Sequence, residues 1–115
     1  MARTALTVQT VITSGTGLAP SYATVDNANG NYFTWPGGRV FLHVKNTNAA
    51  TRTLTIDAPQ TIDGLAMADP TYTIAATTGD HMIGPLSDKL VQTNGQVYLD
   101  WSAATNTSVA VIAIA

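Results

Sequence analysis

The sequence predicts an all-β domain, a β-sandwich of jelly-roll-like or Greek-key order built from about eight to ten short strands. Three observations predict it. Apolar and polar residues alternate with a period of two in short runs, and clusters of Gly, Asn, Asp and Pro separate those runs. The polar residues are of the strand-forming kind: 19 Thr stand against 10% charged residues, and there is no Glu. Glu, Lys and Arg usually fill exposed helix faces, whereas Thr and Val keep a restricted χ1 that suits a pleated strand. No window carries a helical period. At 115 residues the chain fits one domain, 1–115, with a barrel as the second choice of architecture.

The elements follow in order along the chain. Residues 4–12 read as a first strand, with Leu6, Val8 and Thr10 alternating against Ala5, Thr7 and Gln9, and residues 14–17 end it. A short strand at 22–25 is closed by Asp26-Asn27-Ala28-Asn29-Gly30-Asn31, where Asn and Gly tolerate left-handed backbone angles. Residues 32–35 form a third run, stopped by Pro36-Gly37-Gly38. In residues 40–45, Val40, Leu42 and Val44 face one way and Phe41, His43 and Lys45 the other, so this is a core strand. Its hairpin partner is expected at 53–57, across a polar loop at 46–51. Residues 59–70 are a long connection with a candidate turn at Thr61-Ile62-Asp63-Gly64. A second hairpin joins 71–75 to 81–86 through Thr77-Thr78-Gly79-Asp80, with Gly84-Pro85 marking a bulge or an edge. A third joins 89–92 to 97–101 through Asn94-Gly95, read as the central pair of a type I′ turn. Residues 108–114 are apolar on both faces, which places this strand in the middle of a sheet.

The same residues exclude several chemistries. Net charge is −2 and the five basic residues (Arg3, Arg39, Lys45, Arg52, Lys89) are scattered, so no stripe exists to neutralise phosphates and no nucleic-acid partner is expected. The absence of Cys removes disulfides, thiolate nucleophiles and Cys-ligated zinc. No segment approaches the roughly 18 apolar residues of a membrane span, and residues 1–4 lack the apolar stretch of a secretion signal, so cytosolic synthesis is expected. His43 and His81 have no nucleophile motif or second ligand at metal spacing, and the seven Asp residues fall at strand ends and turns. No catalytic residue, metal or cofactor is therefore assigned. An enzyme is the least favoured reading, one that a clustered, perturbed acid pair in the fold would revive. Asn106-Thr107-Ser108 matches a glycosylation sequon without a secretion signal to support it.

What remains points to docking. Tyr32, Phe33 and Trp35 cluster beside a Gly-rich turn, where aromatic rings either cap the sandwich or anchor an interface. A 10% charged content is low beside the roughly 25% of ordinary soluble domains, and it suits a protein buried in an assembly. The opening Met1-Ala2-Arg3-Thr4-Ala5-Leu6-Thr7-Val8, the strand Val40-Phe41-Leu42-His43-Val44-Lys45-Asn46, the run Thr53-Leu54-Thr55-Ile56, and Ile83-Gly84-Pro85-Leu86 with Val97-Tyr98-Leu99-Asp100 resemble the head decoration, or capsid cement, proteins of tailed bacteriophages. The resemblance covers most of the chain as pattern and strand order. It implies a β-sandwich that binds the major capsid protein on the outside of the virion head, as a homo-oligomer with a trimer favoured. On that reading Ala2, Arg3, Thr4, Ala5 and Leu6 form a contact arm, and Tyr32, Phe33 and Trp35 supply anchors. A tail or baseplate component of the same virion and a carbohydrate-binding module are the rival readings.

Overall fold

The computed structural model describes residues 3–11, 15, 17–59, 61–62, 64–66, 68–86 and 88–114. In chain order the strands are β1 (Thr4–Ala5), β2 (Val8–Val11), β3 (Ala23–Thr24), β4 (Asn31–Thr34), β5 (Arg39–Asn46), β6 (Arg52–Ile56), β7 (Thr61–Ile62), β8 (Leu65–Ala66), β9 (Thr71–Ile74), β10 (Gly79–Ile83), β11 (Gln96–Trp101) and β12 (Thr107–Ile114). One sheet has the order β1-β4-β11-β6-β9 and the other β10-β5-β12-β2, with β3 also on β12. The two pack face to face as a β-sandwich, and β7 and β8 make a small separate hairpin.

Period-two alternation builds the core. Val40, Leu42 and Val44 of β5 and Val109 and Val111 of β12 point inward from one sheet. Phe33, Leu54, Ile56, Ile74, Val97 and Leu99 meet them from the other. Burying a side chain of this size contributes about 1.5–3 kcal/mol, so this stripe dominates stability. Polar groups carried inside are matched. Asn31 accepts at Oδ1 from the Trp101 indole N–H (2.9 Å) and from the Asp26 amide (2.9 Å), while its Nδ2 donates to the Thr4 carbonyl (3.1 Å). Arg52 donates to Thr107 Oγ1 and to the Thr105 carbonyl. Among the described residues no buried side-chain nitrogen or oxygen lacks a partner.

Connectivity departs from the sequence reading at four places. The first strand is two: residues 4–5 pair parallel with β4 and residues 8–11 pair parallel with β12, so the N-terminal arm crosses from one sheet to the other. β5 and β6 are not a hairpin, because β5 lies beside β10 and β12 while β6 lies between β11 and β9. Facing strands and neighbouring strands share the same alternation, so period two cannot tell them apart. The buried Asn46 holds this crossing, donating to the Ala50 and Ala75 carbonyls and accepting from the Asn48 amide. β9 and β10 likewise sit in different sheets. Asn94-Gly95 is not a type I′ pair: the Gly95 amide donates to the Gln92 carbonyl, Gly95 alone of the two has positive φ (84°), and residues 88–90 form a 3₁₀ turn. This is the three-residue loop in which a left-handed glycine follows a type I turn. The strand at 108–114 does lie centrally, between β5 and β2, and β10 is an edge strand, as the Gly84-Pro85 reading expects.

Thr77, in the corner between β9 and β10, has φ 65°, although it is β-branched. Left-handed backbone costs such a residue about 1–2 kcal/mol. Thr77→Gly keeps the amide that donates to the Asn48 carbonyl (2.7 Å). It is expected to raise stability by about 1 kcal/mol net of glycine entropy, read from the urea midpoint. Leu42→Ala, in the centre of the core, is expected to lose about 2–5 kcal/mol by the same measurement.

Candidate functional site

The outward face of the β10-β5-β12-β2 sheet divides into a polar end and an apolar end, and strand register makes the division. His43 lies opposite Met82 on one side and Ala110 on the other, Lys45 opposite Asp80, Phe41 opposite Ile112, and Ile114 beside Val11. Directly paired residues share a face. At the polar end the Tyr22 hydroxyl and His43 Nδ1 are hydrogen-bonded at 2.5 Å, with the two rings edge-on. His43 Nε2 is bonded to Asp80 Oδ1, and Lys45 Nζ stands 4.3 Å above the Tyr22 ring. The hydrogen bond from His43 holds the Asp80 carboxyl below the usual carboxylate range, with the charges of His43, Lys45 and His81 in support.

At the apolar end Met82 is 67% exposed, Ile114 47% and Val11 40%. Phe41 and Pro85 join Met82 and Ile114 around a shallow groove edged by Arg39. Flat, contiguous and apolar, this band is of the kind that marks contact surfaces. Sequence analysis misses it. Phe41 and Ile114 are legible as outward or two-faced residues, but only the β10–β5–β12–β2 register sets them beside Met82 and Val11.

A second cluster lies at the start of the chain. Arg3 Nη1 donates to Asp100 Oδ1 (2.7 Å) and to the Leu99 carbonyl (3.2 Å), Nη2 donates to Asp57 Oδ2 (3.1 Å), and the guanidinium lies 4.4 Å over the Tyr98 ring. Burial, then the hydrogen bond and charge of Asp100, push the Asp57 carboxyl up to about 6 against the opposing charge of Arg3. Asp57 and Asp100 are thus a clustered acid pair with Asp57 perturbed, the kind of observation that would revive a catalytic reading. Arg3 lies between them and binds both carboxylates.

The sequence-predicted contact residues fall in different settings. Ala2 lies outside the described residues. Arg3 is bound as above, Thr4 and Ala5 form the exposed β1, and Leu6 packs against the core. Thr4 Oγ1 donates to Asp26 (2.6 Å), whose carboxyl also accepts the Ala28 and Asn29 amides and is lowered by these bonds, the one from Thr4 most. The aromatic trio does not form one surface. Tyr32 is half-buried beside Ala5 and Tyr98, Trp35 packs its ring against the core, and Phe33 is fully buried. Phe33 as an interface anchor is corrected: alternation along β4 turns it inward opposite Val97, leaving no ring surface to present. His81 accepts the Ala75 amide at Nε2 (3.1 Å) in the β9–β10 corner. Comparison with family models, with curated proteins and with solved structures finds no match for this chain.

Asp57 gives a signed pH dependence. Its carboxyl is raised from 3.8 to about 6, so folding favours its protonated form. The stability this contributes is complete below about pH 4 and lost as pH rises through about 6. Asp57→Asn is expected to raise Tm relative to the parent at pH 7.5 and to match it near pH 4, read by calorimetry across that range.

Proposed function

We propose that the protein acts by docking, as a structural module whose outer sheet face seats on a larger assembly. With the resemblance to head decoration proteins, that assembly is the outside of a tailed-phage capsid and the partner its major capsid protein. One observation carries the docking reading: the apolar band of Met82, Phe41, Ile114 and Val11 on a flat sheet face, in a chain with only 10% charged residues. The β1 edge beside Tyr32 is a second contact, because a two-residue parallel edge strand leaves backbone groups open to a neighbouring chain.

Such a module needs no chemistry of its own. Each copy that binds only the assembled shell stabilises it by mass action, and a homo-oligomer, a trimer by the resemblance, multiplies the effect through avidity. The Tyr22–His43–Asp80 set fits the same role. Its members hold each other in place at the polar end of the face, so the surface presented to a partner is rigid and costs little ordering entropy on binding.

Co-sedimentation with expanded capsids tests the proposal. Met82→Lys puts a charge in the band, and because Met82 is largely exposed it is expected to leave the circular dichroism spectrum unchanged. Capsid affinity is expected to fall about 30-fold, the loss of one anchor of roughly 2 kcal/mol. Deleting residues 2–6 is expected to lower occupancy separately. Parent-level occupancy for both variants, or no capsid binding by the parent chain, overturns the reading.

A further inference from the structure

Arg3 is held in a cradle made to measure. Two carboxylates and the Leu99 carbonyl receive its guanidinium, Tyr98 lies beneath its flat face, and Gly30 forms the floor. A Cβ at Gly30 would stand 2.2 Å from Arg3 Nη1 and 2.8 Å from Asp100 Oδ1, so a side chain there would displace the guanidinium. Behind this anchor the arm is short. β1 is two residues long and exposed, and it is tied to the sheet by the Thr4 amide on the Gly30 carbonyl (3.0 Å), the Leu6 amide on the Tyr32 carbonyl (2.8 Å), Asn31 Nδ2 on the Thr4 carbonyl (3.1 Å) and the Thr4 hydroxyl on Asp26 (2.6 Å).

We propose that this cradle is a pH-gated latch on the N-terminal arm, closed over Arg3 when both Asp57 and Asp100 are ionised and loosened, so that residues 3–5 lift from β4, when one of them is protonated. The groups that face Asp57 are Asp100 on β11, Arg3 on the arm, and Asp69 on the connection after β6, whose Oδ1 accepts the Ala58 amide. Tyr98 and Gln92 touch only the Asp57 backbone, the Asp57 amide donating to the Tyr98 carbonyl and Gln92 Nε2 to the Asp57 carbonyl. Among the described residues that face Asp57, Arg3 is therefore the cation set against three carboxylates, Asp57, Asp100 and Asp69. Withdrawing it leaves Asp57 facing Asp100 and Asp69 without compensation, which strengthens proton binding at Asp57. By linkage the converse holds, and protonation at Asp57 weakens the grip on Arg3. With Arg3 seated the Asp57 carboxyl already titrates near 6, so the latch tightens as pH rises from about 6 and is loose below it. The inference concerns the free chain and stands or falls apart from any capsid partner.

Amide hydrogen exchange at Thr4 and Leu6, read by NMR and referred to the free-peptide rate at each pH, measures arm opening. The Val109 and Val111 amides of the central strand report global opening. From pH 8 to pH 5 the protection of Thr4 and Leu6 is expected to fall about three- to fivefold, the weight of one half-exposed ion pair, while Val109 and Val111 show no such fall. Asp57→Asn is expected to show the low protection at both pH values. Asp100→Asn removes one of the groups that raise Asp57, burial being the larger cause, and is expected to move the fall in arm protection to lower pH without abolishing it. Equal arm protection at pH 5 and pH 8 in the parent chain overturns the latch. So does a pH dependence that survives in Asp57→Asn or, if that variant does not fold, one that stays at the same pH in Asp100→Asn.

Discussion

The eight-position antiparallel ladder between β5 and β12, running from Asn46 opposite Thr107 to Arg39 opposite Ile114, is the constraint on which the rest of the molecule depends. It fixes which residues of both strands point inward, because a slip of one position would turn Val40, Leu42 and Val44 to solvent and His43 and Lys45 into the core. It also builds the outer face. Phe41 sits beside Ile112 and Ile114 only in this register, and the β10–β5 ladder next to it brings Asp80 to His43 and Met82 to the same face.

Around that ladder the chain closes by changing sheets and not by turning back in hairpins. β5 to β6 and β9 to β10 both cross between layers, and the crossings are held by polar side chains that are buried and satisfied. Asn46 ties the 46–51 loop to the 75–79 corner, and Arg52 ties β6 to residues 105 and 107. Buried groups of this kind stabilise modestly when paired and cost much more when orphaned, so they select this connectivity over its alternatives. The strained backbone at Thr77 lies in the same corner, where the tight crossing overrides the preference of a β-branched residue.

The N-terminal arm has a different character. It adds an edge strand to each sheet, both parallel, and its first anchor is an ion pair cluster at the surface. Contacts of that strength are marginal in water, whereas the core beneath them is not. The sandwich therefore carries a short first segment held by surface ion pairs and a few hydrogen bonds and, on the opposite sheet, a face that is apolar at one end.

The amino-acid sequence by itself determined the all-β class, the inward residues of β5, the turn at 26–31 and the central place of the last strand, because each follows from local alternation, apolar content and turn chemistry. Only the tertiary structure decided which strands are neighbours and which face each other, since both arrangements bury the same residues. For that reason it alone brought Tyr22 to His43 and Asp80, set Arg3 between Asp57 and Asp100, turned Phe33 inward, and assembled Met82, Phe41, Ile114 and Val11 into one band. Residues 21 to 97 positions apart in the chain carry no periodic signal of one another. Their proximity is a product of sheet register and of layers pressed together by the core.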